Sequence, residues 1–512
     1  MTEEKQTIDK EKALELKNEG NKLVKEKRYA QATEFYTKAI ECDPENSILY
    51  SNRAFTNLKL DNFQSSLNDA KRAIELDNNN LKAYHRRAMS YIGLLEFRKA
   101  KKDLAIVLKF KPNELTAKNA LAICDKVIQK ENFEKAISGG DSSKVDLCET
   151  LNISSFDANS DLINYTGKKL EFEQVTSDSG SPAGVRVKNM TQEFVSYMVE
   201  EIFLKGKYLP KAYVAAIISH ANHLFMQENS VVELDNREDP KTRISVCGDT
   251  HGQFYDVLNI FKSFGKVGGS NVYLFNGDFV DRGSWSCEVA ILFYALKIVY
   301  PKHIYLNRGN HETNSMNKVY GFEDECKYKY SQRIFELFSQ SFESLPLATV
   351  INGSYLVVHG GLPSDMSATV DDMKKIDRFK QPPREGTFME LLWADPQLQN
   401  GFGPSPRGLS NAFGPDITRA FLQKNNLKRI FRSHEVRQGG YEFEHENQLI
   451  TVFSAPNYCD TERNLGAIIH VMPGNESEKK SSIDEDLIIE TFTASPHPDI
   501  KPMAYSNGGL GF

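Results

Sequence analysis

Several features are missing from this sequence of 512 residues, and each absence argues against a class of protein. No apolar run reaches the roughly 18 residues that a membrane-spanning helix needs. The opening residues MTEEKQTIDKEK contain no apolar signal region, which argues against secretion. The net charge of −6 offers no basic surface to nucleic acid or to an anionic membrane. We therefore expect no membrane span and no nucleic-acid partner.

Paired cysteines are missing too. The seven cysteines are an odd number and are scattered along the chain, as is usual for thiols in a reducing compartment. We expect a protein of the cytoplasm and the nucleus. The sequence has no clear nuclear-import run that would choose between them.

The first 130 residues contain an internal repeat. Shifted by 34 residues, the segment aligns with itself: small residues recur at Ala32, Ser66 and Ala100. Alternation of small and large side chains at helical spacing is what closely packed helix pairs need. The pattern resembles the tetratricopeptide repeat, with three copies over about residues 13–114 and one capping helix behind them. This predicts an all-α repeat solenoid.

Five polar residues fall on the first helix of each repeat, which lines the concave groove in this repeat family. They are Lys17, Asn21, Asn52, Lys82 and Arg86. Cations and amides arranged in this way can hold a terminal carboxylate. The five positions resemble the carboxylate clamp of repeat domains that bind the acidic C-terminal tails of heat-shock chaperones. The implied partner is the 90-kDa heat-shock protein, with the 70-kDa one as a further candidate.

The chain changes character after the repeats. Residues 138–184 are rich in Ser, Gly and Asp, which is typical of a linker that packs only in part. Short apolar runs then alternate with helical stretches, which predicts an α/β (α+β) β-sandwich flanked by helices. The predicted divisions are repeats and capping helix at 1–136, linker at 137–185, catalytic domain at 186–495 and regulatory tail at 496–512.

Six apolar runs in the second half each end in polar residues. The run VYLFN is followed by GDFVDRG, and HIYLN is followed by RGNHE. Because functional sites form at the carboxyl ends of strands in α/β sheets, we expect these residues to meet. The candidate ligands are Asp249, His251, Asp278, Asn310, His359 and His434. Mixed oxygen and nitrogen ligands favour hard to borderline divalent metals, and six of them suit two ions that share a carboxylate.

Four more residues complete a phosphate-handling site. Arg282 and Arg407 offer planar donors to phosphate oxygens. His311 directly follows a candidate ligand and can protonate a leaving alkoxide as general acid. Asp281 can accept the other ring proton of this histidine and keep it charged. The pattern predicts displacement at phosphorus.

The motifs GDTHG, GDFVDRG and RGNHE together resemble those of the metallophosphoesterases, and LLWADP, IFRSHE and SAPNYCD resemble those of the serine/threonine protein phosphatases. With the repeats in front, the chain is similar over about residues 13–505 to the tetratricopeptide-repeat-containing phosphatases, the protein phosphatase 5 type. The resemblance implies that Asp249, His251 and Asp278 hold one metal, and that Asp278, Asn310, His359 and His434 hold the other. It also implies phosphate binding by Arg282, Asn310 and Arg407, with Tyr458 overhanging the site.

The resemblance further implies hydrolysis of phosphoserine and phosphothreonine, with Mn²⁺ or Mg²⁺ as the first expectation and iron or zinc as alternatives. Family members are held inactive by their repeats and a C-terminal helix, and chaperone binding activates them. Here Gly508, Gly509 and Gly511 interrupt that helix, since each interior glycine costs roughly 1 kcal/mol relative to alanine. We therefore hypothesise repeat-mediated inhibition with a weaker C-terminal latch.

Two other readings remain open. A nucleotide phosphodiesterase can use the same two-metal core, although paired arginines favour a monoester dianion. A chaperone-binding adaptor with an inert phosphatase domain is the second, and the complete ligand set argues against it. The sequence leaves the native metal, the physiological substrates and the oligomeric state undetermined.

Overall fold

The structure, a computed structural model, describes residues 9–137, 146–153, 161–162, 164–176, 182–473 and 486–505. The described residues divide into two compact units. One contains residues 9–137 and the loop Pro404–Ser410, and the other contains the remaining described residues. We call them the repeat unit and the catalytic unit. In the described part of the chain, no helix is both long and apolar enough to cross a membrane.

The repeat unit is built from helices that pair along the chain. They are α1 (Lys10–Lys25), α2 (Tyr29–Cys42), α3 (Ser47–Lys59), α4 (Phe63–Leu76), α5 (Leu81–Gly93), α6 (Phe97–Phe110) and α7 (Leu115–Ile137). The first helix of each pair begins at a side chain that accepts a backbone N–H: Asp9, Asn46 and Asn80. The predicted repeat solenoid is confirmed.

The 34-residue period also governs burial and charge in the repeat unit. Ala32 and its two equivalents are fully buried, which allows close helix approach. The Arg53 guanidinium donates to both carboxylate oxygens of Asp69, at 2.9 and 2.7 Å. Arg87 donates to Asp103 in the same way, at 2.7 and 2.8 Å. This repeated bidentate pair was not anticipated from the sequence.

The helices of the catalytic unit flank its sheets. They are α8 (Gln192–Tyr197), α9 (Lys211–Met226), α10 (Phe254–Phe264), α11 (Ser286–Val299), α12 (Asn314–Tyr320), α13 (Phe322–Lys329), α14 (Gln332–Glu343), α15 (Val370–Lys374), α16 (Thr387–Trp393) and α17 (Pro415–Asn425). A π-helical turn, Met198–Ile202, and a 3₁₀ turn, Phe203–Lys205, extend α8. Another 3₁₀ turn spans Tyr458–Asp460.

Eleven of the described strands form two principal sheets, and the remaining described strands form two small ones. The strands are β1 (Phe172–Thr176), β2 (Pro182–Val187), β3 (Val231–Leu234), β4 (Arg243–Cys247), β5 (Asn271–Asn276), β6 (Ile304–Asn307), β7 (Ala348–Ile351), β8 (Tyr355–Val358), β9 (Asp395–Pro396), β10 (Phe402–Pro404), β11 (Asn411–Phe413), β12 (Arg429–Arg432), β13 (Tyr441–Glu444), β14 (Leu449–Val452), β15 (Gly466–Val471) and β16 (Leu487–Phe492). One principal sheet has the order β16-β15-β4-β5-β6, and the other has β13-β14-β12-β8-β7-β3. Strands β1 and β2 pair by themselves, and β9, β10 and β11 form a small sheet.

Apolar side chains from both sheets pack into one core between them. Val246 and Leu274 of one sheet belong to the same buried cluster as Val357 and Phe431 of the other. A larger core lies between the first sheet and its helices, where α11 is buried on nearly every side. This is the predicted mixed α/β sandwich with flanking helices.

Part of the segment predicted as a linker packs against the catalytic unit. Cys148 and Leu151 are each only 1% exposed within its core. Strands β1 and β2 pair antiparallel, and the Val185 N–H of β2 donates to Ser219 Oγ of α9 at 2.9 Å. These described stretches pack as the sequence analysis expected of part of the segment, because apolar residues among the polar ones supply burial.

Candidate metal and phosphate site

The candidate ligands follow strands that run in the same direction. Strands β4, β5 and β6 are parallel neighbours, and the residues that follow them include Asp249, Asp278 and Asn310. In the other sheet β8 and β12 are parallel neighbours, followed directly by His359 and nearly so by His434. Both sheets therefore bring the carboxyl ends of their strands to one site.

Asp278 lies at the centre of this site and is 1% exposed. Its Oδ2 is 3.3 Å from His359 Nε2, 3.7 Å from His251 Nε2 and 4.0 Å from His311 Nε2. Potential ligand atoms of His251, Asp278 and His311 lie within 4.8 Å of one another, as do those of Asp278, His359 and His434. The two groups share one carboxylate.

Two further predicted ligands border these groups. Asp249 Oδ2 is 3.6 Å from His251 Nε2, and Asp249 Oδ1 accepts the backbone N–H of His434 at 3.1 Å. Asn310 Oδ1 lies 2.8 Å from His359 Nε2. All six predicted ligands are thus brought together, and their assignment to individual ions stays a prediction.

Hydrogen bonds to backbone carbonyls orient two of the imidazoles. His359 Nδ1 lies 2.8 Å from the carbonyl oxygen of Asn276, and His251 Nδ1 lies 3.0 Å from that of Val280. A carbonyl only accepts, so each Nδ1 carries a proton and each Nε2 turns toward Asp278. The negative charge of Asp278 outweighs the opposing effect of burial and raises the pKa of His359 to about 9. The site therefore attracts positive charge.

The donor set fits divalent cations. Two donors at about 2.0–2.2 Å from one ion lie about 3.0–3.5 Å apart, and the separations from Asp278 Oδ2 approach that range. Carboxylate, amide and imidazole donors that face each other in a buried site repel unless positive charge lies between them. No thiol is among them, which matches hard to borderline metals rather than a thiolate zinc site.

His311 belongs to the first of the two groups that share Asp278, and its ring is held from one side. His311 Nδ1 is 2.9 Å from Asp281 Oδ2, and the second oxygen of Asp281 accepts the Phe322 N–H at 2.9 Å. Asn317 Nδ2 donates to Asp281 Oδ2 at 2.9 Å and to the carbonyl of His311 at 2.7 Å. This arrangement leaves Nε2 of His311 as the atom that faces the site.

Arg282 is 9% exposed and rests on an aromatic ring. Its guanidinium carbon lies 4.0 Å from the centroid of the Tyr320 ring, and its backbone N–H donates to the Tyr320 carbonyl at 3.0 Å. The same ring lies 5.1 Å from that of His311. Tyr320 therefore contacts both the predicted phosphate ligand and the predicted acid, and the sequence analysis did not identify it.

The other two predicted phosphate-site residues lie in loops. The Tyr458 ring is 5.1 Å from the His251 ring, in a turn that begins the short helix Tyr458–Asp460. Arg407 is 8% exposed, and its backbone N–H donates to Ser405 Oγ at 3.1 Å. Its loop, Pro404–Ser410, groups with the repeat unit, so its phosphate-binding role stays a prediction.

Glu312 is a second residue that sequence reasoning missed. Its carboxylate accepts backbone N–H groups of Asp278, Phe279 and Gly309 at 2.8 to 2.9 Å. Burial, together with the charge of Asp278, raises the pKa of Glu312 to about 8. This side chain joins the loops after β5 and β6. Its position directly after the motif RGNH could have indicated this role, because a carboxylate buried next to the site needs hydrogen-bond donors there.

The repeat unit has a separate cluster of polar residues. Asn21 Oδ1 accepts hydrogen bonds from Tyr36 Oη at 2.8 Å and Asn52 Nδ2 at 3.4 Å. Lys82 and Arg86 line a cavity of about 260 Å³ with Phe55. Arg86 donates to the carbonyl and hydroxyl of Ser51, and burial lowers its pKa to about 10.

Four of the five predicted clamp residues are therefore located by contacts or by this cavity. Lys17 lies on α1 one turn before Asn21 and is half-buried. The binding role of all five stays a prediction.

Comparison with known proteins agrees with this geometry. The calcineurin-like phosphoesterase family matches residues 242–438, the PPP5 TPR repeat region matches residues 121–233, and the tetratricopeptide repeat family matches residues 35–67. The chain is 66% identical to serine/threonine-protein phosphatase T of Saccharomyces cerevisiae, over 98% of each chain. It is 44% identical to human serine/threonine-protein phosphatase 5, over 97% of this chain and 93% of the human one.

A solved structure supports the same conclusion. It is a protein serine/threonine phosphatase from Saccharomyces cerevisiae described as similar to human phosphatase PP5. It is 68% identical to this chain, covers 62% of it and all of the solved chain, and superposes with a TM-score of 0.59. The chain belongs to the serine/threonine-protein phosphatase 5 family, and it is a phosphoprotein phosphatase that joins tetratricopeptide repeats to a calcineurin-like phosphoesterase domain.

Proposed function

We propose that this phosphatase hydrolyses phosphoserine and phosphothreonine monoesters of proteins with two divalent metal ions. One observation carries the proposal: two ligand groups share Asp278, and His311 in one of them is paired with Asp281. Asp249, His251 and Asp278 would hold one ion. Asp278, Asn310, His359 and His434 would hold the other. Mn²⁺ and Mg²⁺ suit the oxygen donors, and iron or zinc suit the imidazoles.

The bound ions would supply a hydroxide nucleophile at neutral pH and offset charge on the phosphate oxygens. Arg282, Arg407 and Asn310 would orient the phosphoryl group by hydrogen bonds to its oxygens. As the bond from phosphorus to the serine or threonine oxygen breaks, His311 Nε2 gives its proton to that leaving oxygen. Asp281 holds the proton on Nδ1 and stabilises the charged ring, while Tyr458 covers the site.

The repeat unit would recruit the enzyme to a heat-shock chaperone. Its cavity presents Lys82 and Arg86 beside Phe55, so an acidic peptide with an apolar residue finds complementary charge and surface. The proposed partner is the 90-kDa heat-shock protein, with the 70-kDa one as an alternative. Tethering would raise the effective concentration of the chaperone and its clients, which we propose as substrates.

Inhibition by the repeats, relieved by the chaperone tail, is part of the proposal. The glycines at 508, 509 and 511 that predict a weak latch lie outside the described residues.

We also propose residence in the cytoplasm and the nucleus. All seven cysteines lie among the described residues and none of them forms a disulfide there; the Cys287 and Cys326 sulfurs are 3.5 Å apart as thiols, as is usual in a reducing compartment. Microscopy of the tagged full chain would test the location.

The first experiment measures phosphate release from a phosphoserine peptide in Mn²⁺, with and without the acidic C-terminal peptide of the chaperone. Low activity that rises severalfold with the peptide is expected. High activity that ignores the peptide would leave the repeats as a tether only. A preference for a phosphodiester substrate, or no activity in any divalent metal, would contradict the proposed function.

A further inference from the structure

The loop that carries Arg282 has an unusual backbone. Asp281 and Arg282 are consecutive residues with φ of 69° and 67°, in the left-handed region that side chains other than glycine rarely adopt. Such conformations persist only when surrounding contacts determine them. The hydrogen bonds of Asp281 to His311, Asn317 and Phe322 fix the first residue. The backbone of Arg282 needs support of its own.

Two segments hold the peptide groups of Arg282. Its N–H donates to the Tyr320 carbonyl at the end of α12. Its own carbonyl accepts the N–H of Met503 at 3.0 Å. Met503 comes from the far end of the chain, and the Met503 side chain lies over Gly321, where an added Cβ would come within 3.6 Å of it. The C-terminal segment thus completes the support of this loop.

The same segment is tied to Ser284, two residues further along the loop. Ser284 Oγ donates to the Lys501 carbonyl at 2.6 Å and accepts the Ala504 N–H at 3.0 Å. Ser284 is only 1% exposed, so water does not readily replace these two hydrogen bonds. One side chain therefore binds residues 501–505 at both sides of Met503.

Tyr505 anchors the end of the segment on α13. Its ring is 4.7 Å from that of Tyr328 and 4.9 Å from Lys329 Nζ. Lys329 Nζ in turn donates to the Ser284 carbonyl at 2.9 Å. Lys329 is buried between Glu288 and Glu325, which fixes its position. The anchor and the loop are thus connected through one ammonium group.

We propose that residues 501–505 act as a strap that positions Arg282 for the substrate phosphate. Ser284, Met503 and Tyr505 are positioning residues, since they act through Arg282. This inference rests on the proposed role of Arg282 in phosphate binding. The strap gives the described part of the tail a supporting role in substrate binding, which is opposite in sign to an inhibitory latch.

The test uses the full chain with Ser284→Ala and Tyr505→Ala, measured with a phosphoserine peptide in Mn²⁺. We expect KM and the inhibition constant of inorganic phosphate to rise about threefold to tenfold, because Ser284→Ala loses two buried hydrogen bonds and Tyr505→Ala loses a ring contact and a cation–π contact. We expect kcat to change less. Amide hydrogen exchange of residues 499–505, which needs no turnover, should become faster in both variants.

Two controls separate positioning from general destabilisation. Ser230→Ala removes a similarly buried hydroxyl that donates to the Ile376 carbonyl at 2.7 Å, and it should leave phosphate inhibition unchanged. In an Arg282→Ala background, Tyr505→Ala should cause no further loss, because the strap acts through the absent guanidinium.

Unchanged phosphate inhibition in both strap variants, or higher activity in either, would overturn the strap. An additive loss in the Arg282→Ala background would do so as well. If Ser284→Ala fails to fold, Tyr505→Ala alone decides, since this ring lies near the surface of the unit. Failure of the proposed function is a distinct result: the unaltered chain would then show no phosphopeptide hydrolysis.

Discussion

His311 Nδ1 lies 2.9 Å from Asp281 Oδ2, and this carboxylate also accepts the amide of Asn317 at 2.9 Å. Both residues of the pair are nearly fully buried. The second oxygen of Asp281 accepts the N–H that begins α13. The ring of His311 is therefore fixed by the protein before a substrate arrives, as efficient proton transfer requires.

Replacing the acid should slow the chemical step. For His311→Asn we expect kcat on a phosphoserine peptide to fall about 10²- to 10⁴-fold. The loss should be much smaller on p-nitrophenyl phosphate, because its leaving group needs little protonation. Bound metal, measured by elemental analysis, should be retained. His303→Asn, a change at a half-buried histidine outside the site, is the control. Equal losses on both substrates would refute the assignment.

Asp278 is shared by both ligand groups, so its loss should affect both ions. Asp278→Asn should reduce the metal content of purified protein by more than one ion per chain and abolish phosphate release. Asp256→Asn is the control. Asp256 is also buried but is not one of the candidate ligands, and its Oδ1 accepts the Ser495 N–H at a distance of 2.7 Å. Retention of one full equivalent of metal by Asp278→Asn would argue against a bridging carboxylate.

The clamp should depend on charge. Lys82 is exposed, so Lys82→Ala should have little effect on folding. It should lower the affinity for an acidic C-terminal peptide about fivefold to tenfold at low salt. The difference should shrink at high salt because exposed charges are screened. Calorimetric titration measures both. Lys38→Ala, also exposed but on the second helix of its repeat, should leave the affinity unchanged.

Stability should fall in mild acid through His220. Burial, with Arg186 nearby, lowers the pKa of His220 to about 4, and the Val187 N–H donates to its Nδ1 at 3.2 Å. The folded state therefore binds this proton less readily than the unfolded chain, whose histidine titrates near 6.5. The free energy of unfolding should decrease as pH falls from about 7 to 4, by about 1 kcal/mol after screening.

Urea unfolding of the full chain at pH 7.5 and pH 5 measures this effect. His220→Gln keeps an acceptor for Val187 without a titrating group, so its stability should change less between the two pH values. A mutant that loses as much stability as the unaltered chain would show that other groups cause the acid sensitivity.

Removal of the repeats should activate the enzyme. Deleting residues 1–135 should raise basal phosphopeptide hydrolysis severalfold, whereas deleting residues 499–512 should not, because the glycines weaken the latch and the strap is lost with them. Both proteins are compared in Mn²⁺ at equal metal content. Equal activation by the two deletions would contradict the hypothesis of a weak latch.

The sequence predicted that the candidate ligands would meet, because each of them follows an apolar run that forms a strand. Asp278 and Asn310 lie only two and three residues beyond the ends of β5 and β6, so one short stretch of sequence indicates both the strand and the position of its polar residue. Tyr320, Ser284 and Met503 could not be found in this way. Their contacts with the Arg282 loop join distant segments, and nothing in their local pattern shows which segments will meet.

The clamp and the linker show the same contrast. Helical spacing placed Asn21 and Asn52 on neighbouring helices, because one period governs the whole solenoid. Composition indicated that residues 138–184 pack only in part, but it could not show which residues do so, because burial of Cys148 and Leu151 depends on a core supplied by α9 and α14. Average composition cannot predict that two apolar side chains of this segment are buried against distant helices.

The paired arginines and aspartates of the repeat unit have a mechanical consequence. Arg53 forms an ion pair with Asp69 within one repeat, and Arg87 forms one with Asp103 within the next. Each ion pair therefore joins the two helices of a single repeat. A pulling force applied at one end of the array is then resisted by each repeat separately, and no single ion pair holds the whole array together. Pulled in an optical trap, the solenoid should give way in successive small steps from its ends, each step the length of one repeat.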